Sequence, residues 1–307
     1  ARAATVSEPD AGQPPAPGPI EITLTRVAPR CGLVQGLSEM GSSANGNFIS
    51  NAGFIETADS VVAIDALGSP TLGRQFLARL RADCGKPVSH VIVTHYHADH
   101  IYGLQPFKEA GAQVIAHRKG LDYLGSETAR LRLEQSRADL WPWVDETTRL
   151  VPADRWIDGR TEIGIGGVRL VLEPAGPAHT AEDLAIHLPT ERVLFCGDLV
   201  FAGRLPWVGQ ADSRHWITAL ESLLALDVDV LVPGHGPASR DPRHHIALTR
   251  DYLVQLRSAM GEAARNLEPF DEAYRKADWS QFSQLPLFDA ANRMNAYNTF
   301  LLMEQER

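Results

Sequence analysis

The segment Thr94-His95-Tyr96-His97-Ala98-Asp99-His100 constrains this chain more than any other. Three imidazoles and one carboxylate fall within six residues, directly after the apolar run 88–94, which reads as a strand buried on both faces. While the chain stays extended, His95 and His97 share a side, because side chains two apart point the same way. Asp99 and His100 fall where the chain turns into its next element, so they aim at a second point nearby. One loop can thus offer two ligands to each of two adjacent cations, and imidazole with carboxylate is a donor set that suits zinc.

Each cation then needs ligands from elsewhere, and three short segments qualify. Pro177-Ala178-His179-Thr180 follows a strand that ends near Leu172, Cys196-Gly197-Asp198 ends the strand 192–195, and Pro233-Gly234-His235-Gly236 follows the strand 229–232. Glycine or proline beside a polar residue lets the backbone turn sharply and present the side chain. A lone histidine after a strand is ordinarily a surface or core residue, and His90, His117, His187, His215, His244 and His245 are read that way. Three framed ligands following a His-x-His-x-Asp-His run in order make a joint pattern that isolated residues do not. Cys196 shares the Asp198 face by alternation, yet in an apolar strand it reads as a core thiol.

The remaining pattern is of short strands and amphipathic helices. Residues 20–25 alternate as a half-buried strand, and 48–49, 54–55 and 61–64 form a meander punctuated by Asn51-Ala52-Gly53 and Ala58-Asp59-Ser60. Ser69-Pro70 opens a helix to about Ala82. Further strands are expected at 113–116, 163–172, 184–188, 192–196 and 229–232, with helices in 118–140, 213–226 and from Asp241 onward. Strands come in two batches, each followed by helices, which fits two mixed sheets with helices outside them rather than a doubly wound sheet. The chain divides into a proline-rich, flexible segment 1–19, a main domain over 20–240 and a helical extension of that domain over 241–307.

Composition narrows the function. Of 307 residues, 29 are Lys or Arg and 38 are Asp or Glu, a formal net charge of −9, with no basic stripe of the kind that tracks nucleic-acid phosphates. No apolar run approaches the roughly 18 residues of a membrane helix, so membrane insertion is not expected. Three cysteines, Cys31, Cys84 and Cys196, are too few for a disulfide framework, although one bridge such as Cys31 to Cys84 is open. The chain starts Ala1-Arg2-Ala3-Ala4, as a mature end left by leader removal would, so a periplasmic or secreted location is expected, with the cytoplasm as the alternative. With nucleic acid and membrane set aside, a small-molecule substrate is the expected partner.

The loop 94–100, with His179, Asp198 and His235 in that order, resembles the metallo-β-lactamase superfamily over about residues 30–240. That resemblance implies an α/β, four-layer αββα sandwich with a dinuclear metal site at one edge. It implies one site from His95, His97 and His179, a second from Asp99, His100 and His235, and Asp198 bridging them. Diiron members carry Glu where this chain has His97, so the resemblance favours two zinc ions per chain, and a metal-bound hydroxide oriented by Asp99 would attack an amide or lactam, ester or thioester. A mono-iron sulfur dioxygenase of the same fold is the alternative, and a non-catalytic metal-binding accessory protein the third reading. Many true β-lactamases have Cys at the position of Asp198 and a Lys shortly after; here Leu199-Val200-Phe201 follow, which leaves at most weak β-lactamase activity as the expectation. Glyoxalase II-type thioesterases keep the Asp, but no basic glutathione-binding motif is present. The context of His179-Thr180, the stretch 198–201 and the segment 292–297 resemble an often exported bacterial group, the quinoprotein- or sulfur-oxidation-associated zinc metallohydrolases. Candidate substrate contacts are Phe48, Tyr102, Trp143, Arg204 and Trp207, chosen as aromatic or cationic residues in loops near these motifs. Thr94 and Thr180 are candidates to hydrogen-bond the ligands from behind.

Overall fold

The computed structural model describes residues 20–306, so the expected lead-in 1–19 lies outside the described residues. Two sheets face each other. The first has seven strands in chain order: β1 (Thr25–Arg26), β2 (Cys31–Val34), β3 (Ala52–Glu56), β4 (Val61–Ile64), β5 (Val88–Ile92), β6 (Gln113–His117) and β7 (Arg155–Ile157). The second has five, with β12 (Val230–His235) at one edge, then β11 (Val193–Phe201), β10 (Leu184–Leu188), β9 (Val168–Pro174) and β8 (Thr161–Ile165). Strand alternation sorts the apolar residues into three cores. In β4, Val62 and Ile64 enter the inter-sheet core, whereas Val61 and Ala63 face the helices. In β12, Val230 and Val232 point between the sheets and Leu231 points outward.

Helices cover both outer faces, completing the αββα layers. On the first sheet lie α1 (Pro70–Cys84), α2 (Ala98–Ile101), α3 (Leu104–Glu109), α4 (Gly120–Leu124) and α5 (Glu127–Asp139); on the second lie α6 (Ser213–Leu224), α7 (Pro242–Arg265), α8 (Phe270–Lys276) and α9 (Phe288–Gln305). The start of α1 follows from its sequence: the Ser69 hydroxyl accepts the Leu72 N–H at 3.2 Å and Pro70 needs no partner for an amide it lacks. Where β4, β5, β6 and β7 pair in parallel, and where β11 pairs β12, the connection crosses through helices, so these strands all end on one side. That side is where the motif residues lie. Among the described residues no helix is long and apolar enough to cross a membrane, and all three cysteines are free.

Four local expectations need correction. Residues 20–24 are not strand, and β1 is only two residues long. The segment 48–49 is not strand either; its place in the sheet is taken by β2, whose four residues are all buried and so carry no alternation to read. β7, three residues long, escaped for the same want of length. The run 163–172 is a hairpin, β8 and β9 reversing at Gly166-Gly167, where φ is +50° and +80°. Finally, β11 does not end before Asp198 but runs on to Phe201, shifting register at Gly197 and again before Phe201.

Candidate metal centre

The site assembles from strand ends of both sheets. β5 delivers Thr94 to His97, and α2 begins at Ala98, so Asp99 and His100 sit in its first turn. The loop after β9 brings His179, the bulged middle of β11 brings Asp198, and the last residue of β12 is His235. Two backbone hydrogen bonds clamp the sheets together here: the Leu184 N–H donates to the Thr94 carbonyl at 2.9 Å, and the Asn51 N–H to the Gly234 carbonyl at 2.8 Å. Glycine is required at 234, because a Cβ there would lie 2.0 Å from Asp198 Oδ1 and 2.6 Å from the Gly197 carbonyl carbon. At Gly197 the bulge also breaks alternation. Cys196 therefore packs into the second helix-facing core, and Asp198 turns into the site instead of sharing its face.

All seven expected ligand residues converge, in two groups: His95, His97, His179 and Asp198; and Asp99, His100 and His235. In the first group His179 Nε2 stands 3.0 Å from His97 Nδ1 and 3.4 Å from Asp198 Oδ2, with His95 Nε2 3.8 Å from that oxygen. In the second, Asp99 Oδ2 is 3.2 Å from His235 Nε2 and 3.5 Å from His100 Nε2. Asp198 touches this group too, Oδ1 at 3.1 Å from His100 Nε2 and Oδ2 at 3.2 Å from His235 Nε2. Four ligands about 2.0–2.2 Å from one ion stand roughly 3.3–3.6 Å from each other, so these separations suit a shared cation.

The hydrogen bonds behind the site point the same way. His235 Nδ1 donates to the Ile49 carbonyl at 2.7 Å, which leaves Nε2 bare toward the cluster. Asp65, at the end of β4, accepts the Thr94 N–H at 2.7 Å, the Thr94 hydroxyl at 2.7 Å and His100 Nδ1 at 2.8 Å. With its proton given to Asp65, Thr94 Oγ1 is the acceptor for His95 Nδ1 at 3.0 Å. His95 Nε2, His100 Nε2 and Asp198 Oδ1 are buried without a hydrogen-bond partner among the described residues. Such orphans are costly unless something answers them, and a divalent cation does. The residues present therefore fit a metal ion.

Electrostatics without an ion show what the cluster demands. Burial and the His97 charge hold His179 down to about 3. Burial likewise lowers His95, aided by His100, and lowers His97. His100 goes the other way: burial opposes its charge, but Asp198, Asp99 and Asp65 together outweigh it and raise it well above the ordinary imidazole range. His235 is raised against burial by Asp198 and Asp99. Asp99 and Asp198 are held below the usual carboxylate range, against burial, by the histidines around them. The carboxylates thus call for positive charge at this point.

The suggested substrate contacts are distributed differently. Phe48 and Tyr102 are packed in the first helix-facing core, with the Tyr102 hydroxyl 3.4 Å from Ser136 Oγ. Trp143 is buried and its indole N–H donates to the Ser43 carbonyl at 3.0 Å, stapling the loop before Phe48. These three are packing residues. Trp207 is half-buried against the second outer core. Arg204 is buried behind the site, with Nη1 3.4 Å from His235 Nδ1, the ring nitrogen turned away from the cluster. Thr180 does not touch a ligand ring; its N–H and hydroxyl donate to Asp183 at 2.7 and 2.8 Å, fixing the loop that carries His179. Asp65 and Asp183 escaped the sequence reading. Asp65, like Asp198, is a carboxylate at a strand end, but no glycine or proline stands beside it; the nearest is Gly68.

A family model described as the metallo-β-lactamase superfamily matches residues 45–235. The chain belongs to that superfamily. Its relatives are functionally diverse. Subunit alpha of 2,4-dinitroanisole O-demethylase from Nocardioides sp. strain JS1661 is 30% identical over 183 residues, 59% of this chain and 51% of that one. The linear primary-alkylsulfatase of Pseudomonas sp. strain ATCC 19151 is 26% identical, over 66% of this chain and 45% of its own. A Bacillus cereus metallo-β-lactamase type 2 is 26% identical, over 65% and 72%. The chain thus spans about half the length of the first two of these relatives. Among solved structures, the sec-alkylsulfatase Pisa1 from Pseudomonas sp. matches with TM-score 0.69 at 20% identity, covering 92% of this chain and 50% of that one. A metallo-β-lactamase from Pontibacter korlensis matches at 0.61 and 22%, covering 76% and 99%; at these identities the likeness is one of fold.

Proposed function

We propose that this chain is a metal-dependent hydrolase holding two zinc ions and cleaving an amide or lactam, ester or thioester. The convergence of five imidazoles and two carboxylates from four strand-end segments carries this reading. His95, His97 and His179 would hold one ion, Asp99, His100 and His235 the other, and the contact of Asp198 with both groups supports two ions over one. Divalent ions there would acidify water and polarise the oxygen of the bond to be cleaved. The protein supplies the rest. Asp65, Thr94 and the Ile49 carbonyl hold imidazole rings in the tautomer that keeps a bare nitrogen inward. Asp99, whose side chain is 17% exposed against 4% for Asp198, is the carboxylate able to meet a reactant water and accept its proton. The names of the relatives span a lactamase, an alkylsulfatase and a hydroxyacylglutathione hydrolase, which supports hydrolysis without fixing the leaving group.

Elemental analysis of unchelated protein should find two zinc ions per chain, and hydrolysis of a chromogenic lactam or a thioester should vanish with chelator and return with zinc. Asp198→Ala should lose one of the two ions first; full retention of both would overturn the bridging assignment. One iron per chain with oxygen uptake on a persulfide would replace this reading by the dioxygenase.

A further inference from the structure

We propose that the end of the sandwich opposite the metal centre holds a second binding site, for an amphiphilic organic acid with an apolar body and a carboxylate head. At that end the Ala58 N–H donates to the Gly166 carbonyl at 3.0 Å, tying the β3–β4 turn to the β8–β9 hairpin. Beside this tie the sheets part into a cavity of about 490 Å³, within the roughly 300–1,000 Å³ of small-molecule sites. His90 lies on the cavity wall in β5, and His95 follows just past the other end of that strand. At about 3.3 Å per residue of extended chain the two are roughly 17 Å apart. The cavity is therefore separate from the cluster and owes nothing to the hydrolase reading.

The inter-sheet face of the first sheet turns polar here. β5, β6 and β7 pair in parallel, with His90 opposite Gln113, Ile92 opposite Ile115, and Ile115 opposite Arg155. Ile92, Ile115 and Ile157 belong to the inter-sheet core, so alternation puts His90, Gln113 and Arg155 on that same face, near the start of each strand. Ser89 joins them through a bulge: Val61 pairs with Val88 and Val62 with His90, which leaves Ser89 as the extra residue. The hydroxyls are ordered behind the ring. Ser60 Oγ donates to Asp59 Oδ1 at 3.2 Å and Ser89 Oγ to Ser60 Oγ at 3.0 Å, so Ser89 Oγ accepts from His90 Nδ1 at 2.8 Å. That relay fixes the imidazole and commits Asp59 Oδ1, which also takes the Thr57 hydroxyl at 3.2 Å, to donors of the protein itself. The Arg155 guanidinium makes no hydrogen bond or ion pair among the described residues. Burial holds His90 below the ordinary imidazole range, a hydrogen bond with Gln113 opposes this, and the Arg155 charge adds to the lowering. An anion between the two would answer both. The facing wall is apolar, with Ile163 and Ile165 of β8, and the buried Ile115 lies deepest. A cationic rim over an apolar floor is the complement of an amphiphilic acid.

Calorimetric titration of the metal-containing protein with octanoate tests this, with acetate as the head alone and 1-octanol as the body alone. Octanoate should bind saturably, one per chain, and at least tenfold tighter than either. In ¹H–¹⁵N spectra the amides of Ser89, His90 and Gly164 should shift along the same saturation curve. R155Q, a change at an exposed side chain, should weaken octanoate tenfold or more at unchanged metal content, and I163S should weaken it at least threefold. Octanoate that fails to bind, that binds R155Q with wild-type affinity, or that leaves these three amides unmoved is not in this cavity, and the proposal falls. Acetate or octanol binding as tightly as octanoate removes the body or the head from the assignment and overturns it too. Because no metal ligand lines the cavity, octanoate binding there without hydrolysis of any lactam or thioester would support this site and defeat the hydrolase reading instead.

Discussion

Asp65 shows how much of the site rests on residues that would not touch a metal. Its two oxygens take three donors and thereby set the His100 ring and, through Thr94, the His95 ring. Partners of this kind typically change metal affinity 10–100-fold. Asp65→Ala should therefore weaken zinc binding by about 10–100-fold, read by competition with a chromogenic chelator, with the fold retained in circular dichroism. Asp183 offers a different test. Burial pushes its carboxyl well above the usual range, against the Thr180 N–H and hydroxyl that favour the charged form. A carboxyl whose folded pKa lies above its unfolded value destabilises the fold progressively as pH rises from about 4 through the folded value. In Asp183→Asn that loss is absent, so the melting temperature of the variant minus that of wild type should climb with pH above 4; a difference that falls or stays flat contradicts the assignment.

Elements place what residues cannot place alone. β11 is nine residues long and wholly buried, and its register shifts turn Asp198 inward while Leu199, Val200 and Phe201 stay in the outer core. α9 acts at a distance from the ligands. Asn295 accepts the Val208 N–H and donates to the Pro206 carbonyl and, at 3.0 Å, the Tyr252 hydroxyl, which in turn donates to Asn292. Each buried group left unanswered costs about 1–3 kcal/mol. Asn295→Leu should lower stability by roughly 2–4 kcal/mol in a urea titration and leave the metal content unchanged, since no ligand residue contacts α9 through this network.

At the scale of the molecule, the two sheets meet face to face on apolar residues and are pinned edge to edge at the ligand end. Cations there would tie both sheets and answer the orphaned His95, His100 and Asp198 atoms. Binding to the folded state alone stabilises by about 4 kcal/mol at a thousandfold excess over Kd. Exhaustive chelation should thus lower the melting temperature by on the order of 10 °C, restored by zinc; an unchanged melting curve would mean that the cluster does not depend on an ion.

The seven converging residues were legible because their chemistry is local: a short polar run after an apolar strand, and ligands framed by glycine or proline at later strand ends. The layer arrangement was legible for a related reason, since two batches of strands with flanking helices leave apolar surface on both faces of each sheet. Strands β2 and β7 were not, because three or four buried residues carry no periodicity. Nor was the bulge at Gly197 that parts Asp198 from the Cys196 face, since a bulge depends on the neighbouring strand for its register. The sequence by itself determined which atoms could bind a cation and the order in which the chain presents them. Only the tertiary structure decided that Tyr102 and Trp143 are packed away and that Arg204 lies behind His235, because burial and pairing are sums over neighbours that lie 30 to 100 residues away along the chain.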